Sequence, residues 1–123
     1  MEIQIFPTKE EMGQAAAKKA AECLNEAIAR KGHAVFVAAT GASQFEFLDA
    51  LTSIPDIDWS KTTMFHLDEY IGLPKSHPAS FCKFLQDRLI SKTGIATCHF
   101  LDGEKNPAEV IRRTSEAINE API

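Results

Sequence analysis

Six consecutive apolar residues, Ala34-Val35-Phe36-Val37-Ala38-Ala39, stand between Gly32 and Gly41. No polar side chain interrupts the run, so it offers water no side. A strand of this pattern belongs at the centre of a parallel sheet, buried on both faces. It is far too short to span a bilayer. The chain around it must therefore supply layers that cover it.

The flanking segments read as such layers. Glu2–Phe6 sets Ile3 and Ile5 against Glu2 and Gln4, the period of a short strand. Thr8-Lys9-Glu10-Glu11 has capping-box spacing and opens an alanine-rich helix to about Arg30, stopped by Gly32. Met12, Ala16, Cys23, Leu24, Ala27 and Ile28 are expected to supply much of its buried stripe. Ser43-Gln44-Phe45-Glu46 repeats the capping-box spacing before a helix to about Thr52, with Phe47, Leu48 and Leu51 on one face. Thr62–Leu67 is β-branched and apolar, a third strand. Phe81, Phe84, Leu85 and Leu89 recur at helical spacing. Gly94 precedes a fourth strand at Thr97–Leu101. Asn106-Pro107-Ala108-Glu109 then combines an N-cap, proline at the first helical position and an acid near the dipole's positive end, opening a helix to about Asn119. Strands and helices alternate throughout, which predicts right-handed crossovers and a mostly parallel sheet with helices on both faces. Four strands of such a sheet leave an edge that calls for more.

Composition narrows the function. At 45% hydrophobic and 24% charged, the 123-residue chain is globular rather than disordered. A compact monomer of its mass exposes roughly 6,500 Å². The net charge of −4, without a Lys/Arg cluster, argues against nucleic acid and anionic membranes as partners. Three cysteines with no C-x-x-C, and a start without a signal-peptide pattern, point to a reducing cytoplasm. His33, His66, His77 and His99 show no ligand spacing, so no metal is expected. His66 in its strand reads as a packed or hydrogen-bonded histidine, and Cys82 as core.

Two loops fall at the carboxyl ends of strands, where open α/β sheets bind ligands. In Thr40-Gly41-Ala42-Ser43, glycine permits close backbone approach, and a helix start with two hydroxyls favours an anion. The same four residues also fit an ordinary turn with Ser43 as N-cap. In His66-Leu67-Asp68-Glu69-Tyr70, neighbouring side chains diverge, so one acid can face a ligand while the other pairs structurally. Two solvated loop acids fit that stretch equally well. Tyr70 can border a site or fill a crevice wall.

Together, Ala39-Thr40-Gly41-Ala42-Ser43, Phe65-His66-Leu67-Asp68-Glu69-Tyr70-Ile71-Gly72-Leu73-Pro74 and His77-Pro78-Ala79-Ser80-Phe81 closely resemble the glucosamine-6-phosphate deaminase/isomerase family. The resemblance covers residues 1–123, as the amino-terminal part of one domain. It implies a Rossmann-like three-layer α/β/α sandwich, here truncated. It also implies conversion of glucosamine 6-phosphate and water to fructose 6-phosphate and ammonia without an organic cofactor. Asp68 would be the proton acceptor in enolisation and Glu69 its structural support. Thr40, Gly41, Ala42 and Ser43 would border the phosphate and sugar. Ala42 and Gln44 depart from the second glycine and the proline usual in that turn. The family's G-x-G-x-[ND]-G-H segment and later basic residues are missing, so this chain alone is expected to be incomplete as a catalyst and to associate through uncovered surface, as a homo-oligomer or otherwise. The alternatives are a 6-phosphogluconolactonase-like hydrolase, whose members usually carry D-E-R at this point, and a non-catalytic sugar-phosphate binding module.

Overall fold

The computed structural model describes residues 2–121. Helix α1 (Lys9–Lys31) starts where the Thr8 hydroxyl accepts the Glu11 amide at 3.1 Å, and it ends at Gly32. Glu10 and Glu11 in its first turn, with Arg30 and Lys31 in its last, complement the helix dipole. Strand β1 (Ala34–Ala38) leads through a 3-10 turn at Ala42–Gln44 into α2 (Phe45–Thr52). Strand β2 (Thr62–His66) follows, then α3 (Phe81–Arg88), β3 (Thr97–His99) and α4 (Pro107–Glu120). The Asn106 side chain accepts the Ala108 and Glu109 amides, the cap anticipated for α4.

The sheet is parallel, in the order β1-β2-β3. Its register pairs Ala34 with Thr62, Phe36 with Met64 and Ala38 with His66, so these residues share one face. Against that face α1, α2 and α3 build one core from Ala17, Ala21, Leu24, Leu48, Leu51, Met64, Leu85 and Leu89. On the opposite face Phe65 stacks on His99 at 4.5 Å. No residue of α4 is buried. None of the helices among the described residues is long and apolar enough to cross a membrane.

Several expectations are corrected. Glu2–Phe6 forms no strand: among the described residues no strand pairs with it, and Ile3 and Ile5 stand 71% and 91% exposed. The described sheet therefore has three strands rather than four, and the last of them is shorter than Thr97–Leu101. Among the described residues β1 is an edge strand rather than a central one, and Val37, on the face it shares with Phe65, is 50% exposed.

The buried stripe of α1 is Gly13, Ala17, Ala21 and Leu24. That turns it away from Met12, Ala16 and Cys23, which are exposed. The cause is the crossing with α2. A Cβ on Gly13 would lie 2.8 Å from both the carbonyl carbon and the Cβ of Glu46, so the small residues must face that helix.

Candidate functional site

Because β1 and β2 are parallel and Ala38 pairs with His66, the segments leaving both strands emerge at the same end of the sheet. The Leu67 amide donates to the Ala38 carbonyl at 3.1 Å and holds the two exits side by side. The loop after β1 and the acidic loop after β2 therefore lie at the same end of the sheet.

In the first loop, Gly41 has φ 100° and ψ 172°, a conformation that L side chains rarely adopt. It turns the chain into a 3-10 turn in which the Gln44 amide donates to the Gly41 carbonyl at 3.0 Å. Thr40 and Gly41 are half-buried, while Ala42 and Ser43 are exposed. Ser43 does not cap α2. The turn absorbs it before the helix begins, and its hydroxyl accepts from the Gln44 side chain at 3.3 Å.

Both acids lie in the loop beyond β2, and their surroundings differ. Glu69 turns inward to the start of α3. Its Oε2 accepts the Cys82 amide at 2.8 Å and the Ser80 hydroxyl at 2.9 Å. Its Oε1 accepts the Tyr70 amide at 3.0 Å and the Phe81 amide at 3.1 Å. Burial pushes this carboxyl up, but the Cys82, Tyr70 and Phe81 amides and the Ser80 hydroxyl outweigh it and hold the group below the usual glutamate range. Asp68 is exposed and has no hydrogen-bond or ion-pair partner among the described residues. Tyr70, 53% exposed, lies against the Phe81 ring at 4.9 Å and borders the acids rather than filling the core.

Beneath the loop, His66 is buried, and neither ring nitrogen has a partner among the described residues. Burial lowers its pKa against the opposing pull of Glu69 and Asp68, which favours the neutral ring. It packs edge-on to Phe100. Elsewhere His33 meets the Thr63 hydroxyl at 2.8 Å, and His77 Nδ1 accepts the Ala79 amide at 3.1 Å. Burial raises the Cys82 and Cys98 thiols, which disfavours a thiolate nucleophile.

Sequence reasoning missed three supports of this end of the sheet. Ser80 caps α3, accepting the Lys83 amide while donating to Glu69; a serine ahead of the periodic Phe81–Leu89 run was the available signal. Gly103 donates its space. A Cβ there would fall against the Tyr70 carbonyl oxygen and 2.9 Å from that of Leu73, and its own carbonyl accepts the Gly72 amide at 2.7 Å. Asp102 pairs with Lys75 at 3.3 Å and ties the same loop down. The Asp102-Gly103 dipeptide signals a turn, but not the element the turn touches.

The profile of the family described as glucosamine-6-phosphate isomerases/6-phosphogluconolactonase matches residues 7–122. A glucosamine-6-phosphate deaminase of Streptomyces avermitilis is 30% identical over 98% of this chain and 46% of its own length. One from Oenococcus oeni is 33% identical over 84% of this chain and 41% of its own. Among solved structures, a monomeric glucosamine-6-phosphate deaminase superposes with a TM-score of 0.83 at 24% identity, covering 97% of this chain and 50% of that one. A 6-phosphogluconolactonase from Shewanella baltica does so with a TM-score of 0.79 at 22% identity, covering 95% and 50%. These two likenesses carry the Rossmann-like fold. The chain spans about half the length of the curated relatives it matches. With its profile match across nearly every residue and its parallel sheet, the chain belongs to the glucosamine-6-phosphate isomerase/6-phosphogluconolactonase family.

Proposed function

We propose that residues 1–123 form the amino-terminal part of a single α/β domain of an amino-sugar phosphate deaminase/isomerase. The reaction is glucosamine 6-phosphate and water to fructose 6-phosphate and ammonia, in the cytoplasm. The observation that carries this reading is the division of labour between neighbouring acids. Glu69 is committed to four hydrogen bonds at the start of α3, whereas Asp68, at the same end of the sheet as the Thr40–Ser43 turn, is exposed and has no partner among the described residues.

In the opened sugar, the C2–H bond is acidified by the neighbouring C1 carbonyl. A carboxylate is basic enough to take that proton and return it at C1. The electrons left at C2 form the enol as O1 takes up a proton; when C1 is protonated, the C2 nitrogen gives up a proton and becomes an imine, which water hydrolyses to the ketone with release of ammonia. The Gly41 turn and the start of α2 suit the phosphate, because amide groups at a helix start present partial positive charge to an anion.

The test uses the protein assembled to the family's full length. Asp68→Asn is expected to cut ammonia release from glucosamine 6-phosphate by about 10²- to 10⁴-fold. Stabilisation by fructose 6-phosphate in a thermal-shift series should persist. Unchanged turnover would remove Asp68 from the chemistry. Hydrolysis of 6-phosphogluconolactone without ammonia release would favour the lactonase, and sugar-phosphate binding without either reaction would favour a binding module.

A further inference from the structure

We infer that Arg88 is a positioning residue for the Thr40–Ser43 turn: with Phe84 it clamps Phe45, the first residue of α2, and holds the turn in the shape in which its amides receive the phosphate of a sugar phosphate. The inference rests on the anion-binding role proposed for that turn.

The start of α2 lacks the support that the other helices have. Side chains of Thr8, Ser80 and Asn106 accept amides at the starts of α1, α3 and α4. Among the described residues no side chain caps the 3-10 turn at Ala42–Gln44 or α2 itself. An uncapped helix start frays, and a frayed start offers no fixed amides to an anion.

Aromatic packing supplies what capping does not. The Phe45 ring stacks on Phe84 with centroids 5.7 Å apart and 19° between the planes. The guanidinium carbon of Arg88 lies 3.8 Å from the Phe45 centroid and 5.7 Å from that of Phe84. A cation over a ring face is attracted by the ring's electrons. Phe84 and Arg88 stand four residues apart, so both act from one side of α3. Arg88 also meets Asp49 of α2 at 3.8 Å, which draws the guanidinium toward that helix. The backbone passes the clamp on to the turn. The Phe45 amide donates to the Ala42 carbonyl, and the Gln44 amide to the Gly41 carbonyl at 3.0 Å.

α3 thereby serves both loops. Its start is bound by Glu69 of the acidic loop, and its second half holds the start of α2. One helix fixes the spacing between the acidic loop and the anion turn. A base and a phosphate site that act on one sugar need such a fixed spacing.

The test uses the protein at the family's full length. Binding of fructose 6-phosphate is read by calorimetry, and KM and kcat for glucosamine 6-phosphate by ammonia release. Arg88 is partly exposed, so replacing it leaves the buried Leu85 of α3 in place. Arg88→Ala is expected to weaken binding and raise KM about fivefold, with kcat within about twofold, because the turn spends less time in its receptive shape. Phe45→Leu should do the same, and the double variant no more than either alone, because both break one stack. Lys92 meets the same Asp49 at 3.1 Å, closer than Arg88 does. Lys92→Ala removes that ion pair and leaves the stack, so affinity should stay within about twofold. A lower melting midpoint in Arg88→Ala with unchanged affinity would make the stack purely structural and overturn the inference. A loss as large in Lys92→Ala, or a fall in kcat at unchanged KM, would overturn it too. Failure of the deaminase reading looks different: the unaltered protein then binds fructose 6-phosphate without releasing ammonia, and the affinities still decide the role of Arg88. An unaltered protein that binds no sugar phosphate would overturn both.

Discussion

Replacing Glu69 by Gln removes one oxygen from a carboxylate that accepts four hydrogen bonds at 2.8 to 3.1 Å. Whichever way the amide is turned, its NH2 faces at least one backbone N–H donor, from Cys82 or from Phe81 and Tyr70. An unpaired donor costs about 1–3 kcal/mol, and the lost charge at the start of α3 costs a further few tenths. Because the carboxyl is only partly shielded from water, solvent recovers some of this, and we expect a net loss of about 2 kcal/mol. For a chain of this length that corresponds to a midpoint about 8 °C lower. Trp59, the single tryptophan, is buried and reports unfolding in urea.

The pH dependence identifies the cause. The folded carboxyl titrates below its unfolded value, so its stabilisation is complete above the ordinary glutamate range and is lost as pH falls through the folded value. The two proteins should differ fully at pH 7 and converge as the pH falls below the usual glutamate range and the folded carboxyl takes up its proton. A difference that stays unchanged down to the acid limit of folding would mean lost packing rather than a lost anionic cap. A midpoint shift under 1 °C would mean that Glu69 is simply solvated.

Two further substitutions test the supports of the fold. Gly13→Ala gains about 1 kcal/mol of helix propensity. It also places a Cβ 2.8 Å from the Glu46 backbone, which cannot yield unless α1 and α2 separate, at about 1–3 kcal/mol. The urea midpoint should fall, and a rise would show that the crossing is looser than described. Gly103→Ala puts a methyl group against the Tyr70 and Leu73 carbonyls, so the 69–73 loop should detach. Chymotrypsin should then cleave after Tyr70 several-fold faster with little change in global stability, and unaltered cleavage would refute the close packing.

Part of this fold was legible without coordinates. The caps of α1 and α4 are decided within a few residues, because Thr8 and Asn106 each need only a backbone amide two or three positions on. The periodicity of Phe84, Leu85 and Leu89 fixed which face of α3 enters the core. The alternation of strand and helix fixed the parallel sheet. The different roles of Asp68 and Glu69 were not decided locally, because both lie beyond β2 and Glu69 is drawn in by Ser80, Phe81 and Cys82.

What the sequence could not decide depends on partners distant along the chain. Ile3 and Ile5 have strand periodicity, but a strand exists only where another backbone pairs with it, and none does among the described residues. Ala34–Ala39 is patterned for the middle of a sheet, yet among the described residues β1 pairs on one side only, with β2. The stripe of α1 is turned by a contact between Gly13 and Glu46, 33 residues apart. Local hydrogen bonding and periodicity thus determined the elements and their caps. Only tertiary packing determined their pairing, the faces they bury and the commitment of Glu69 to α3, because those are settled by groups that proximity in sequence does not bring together.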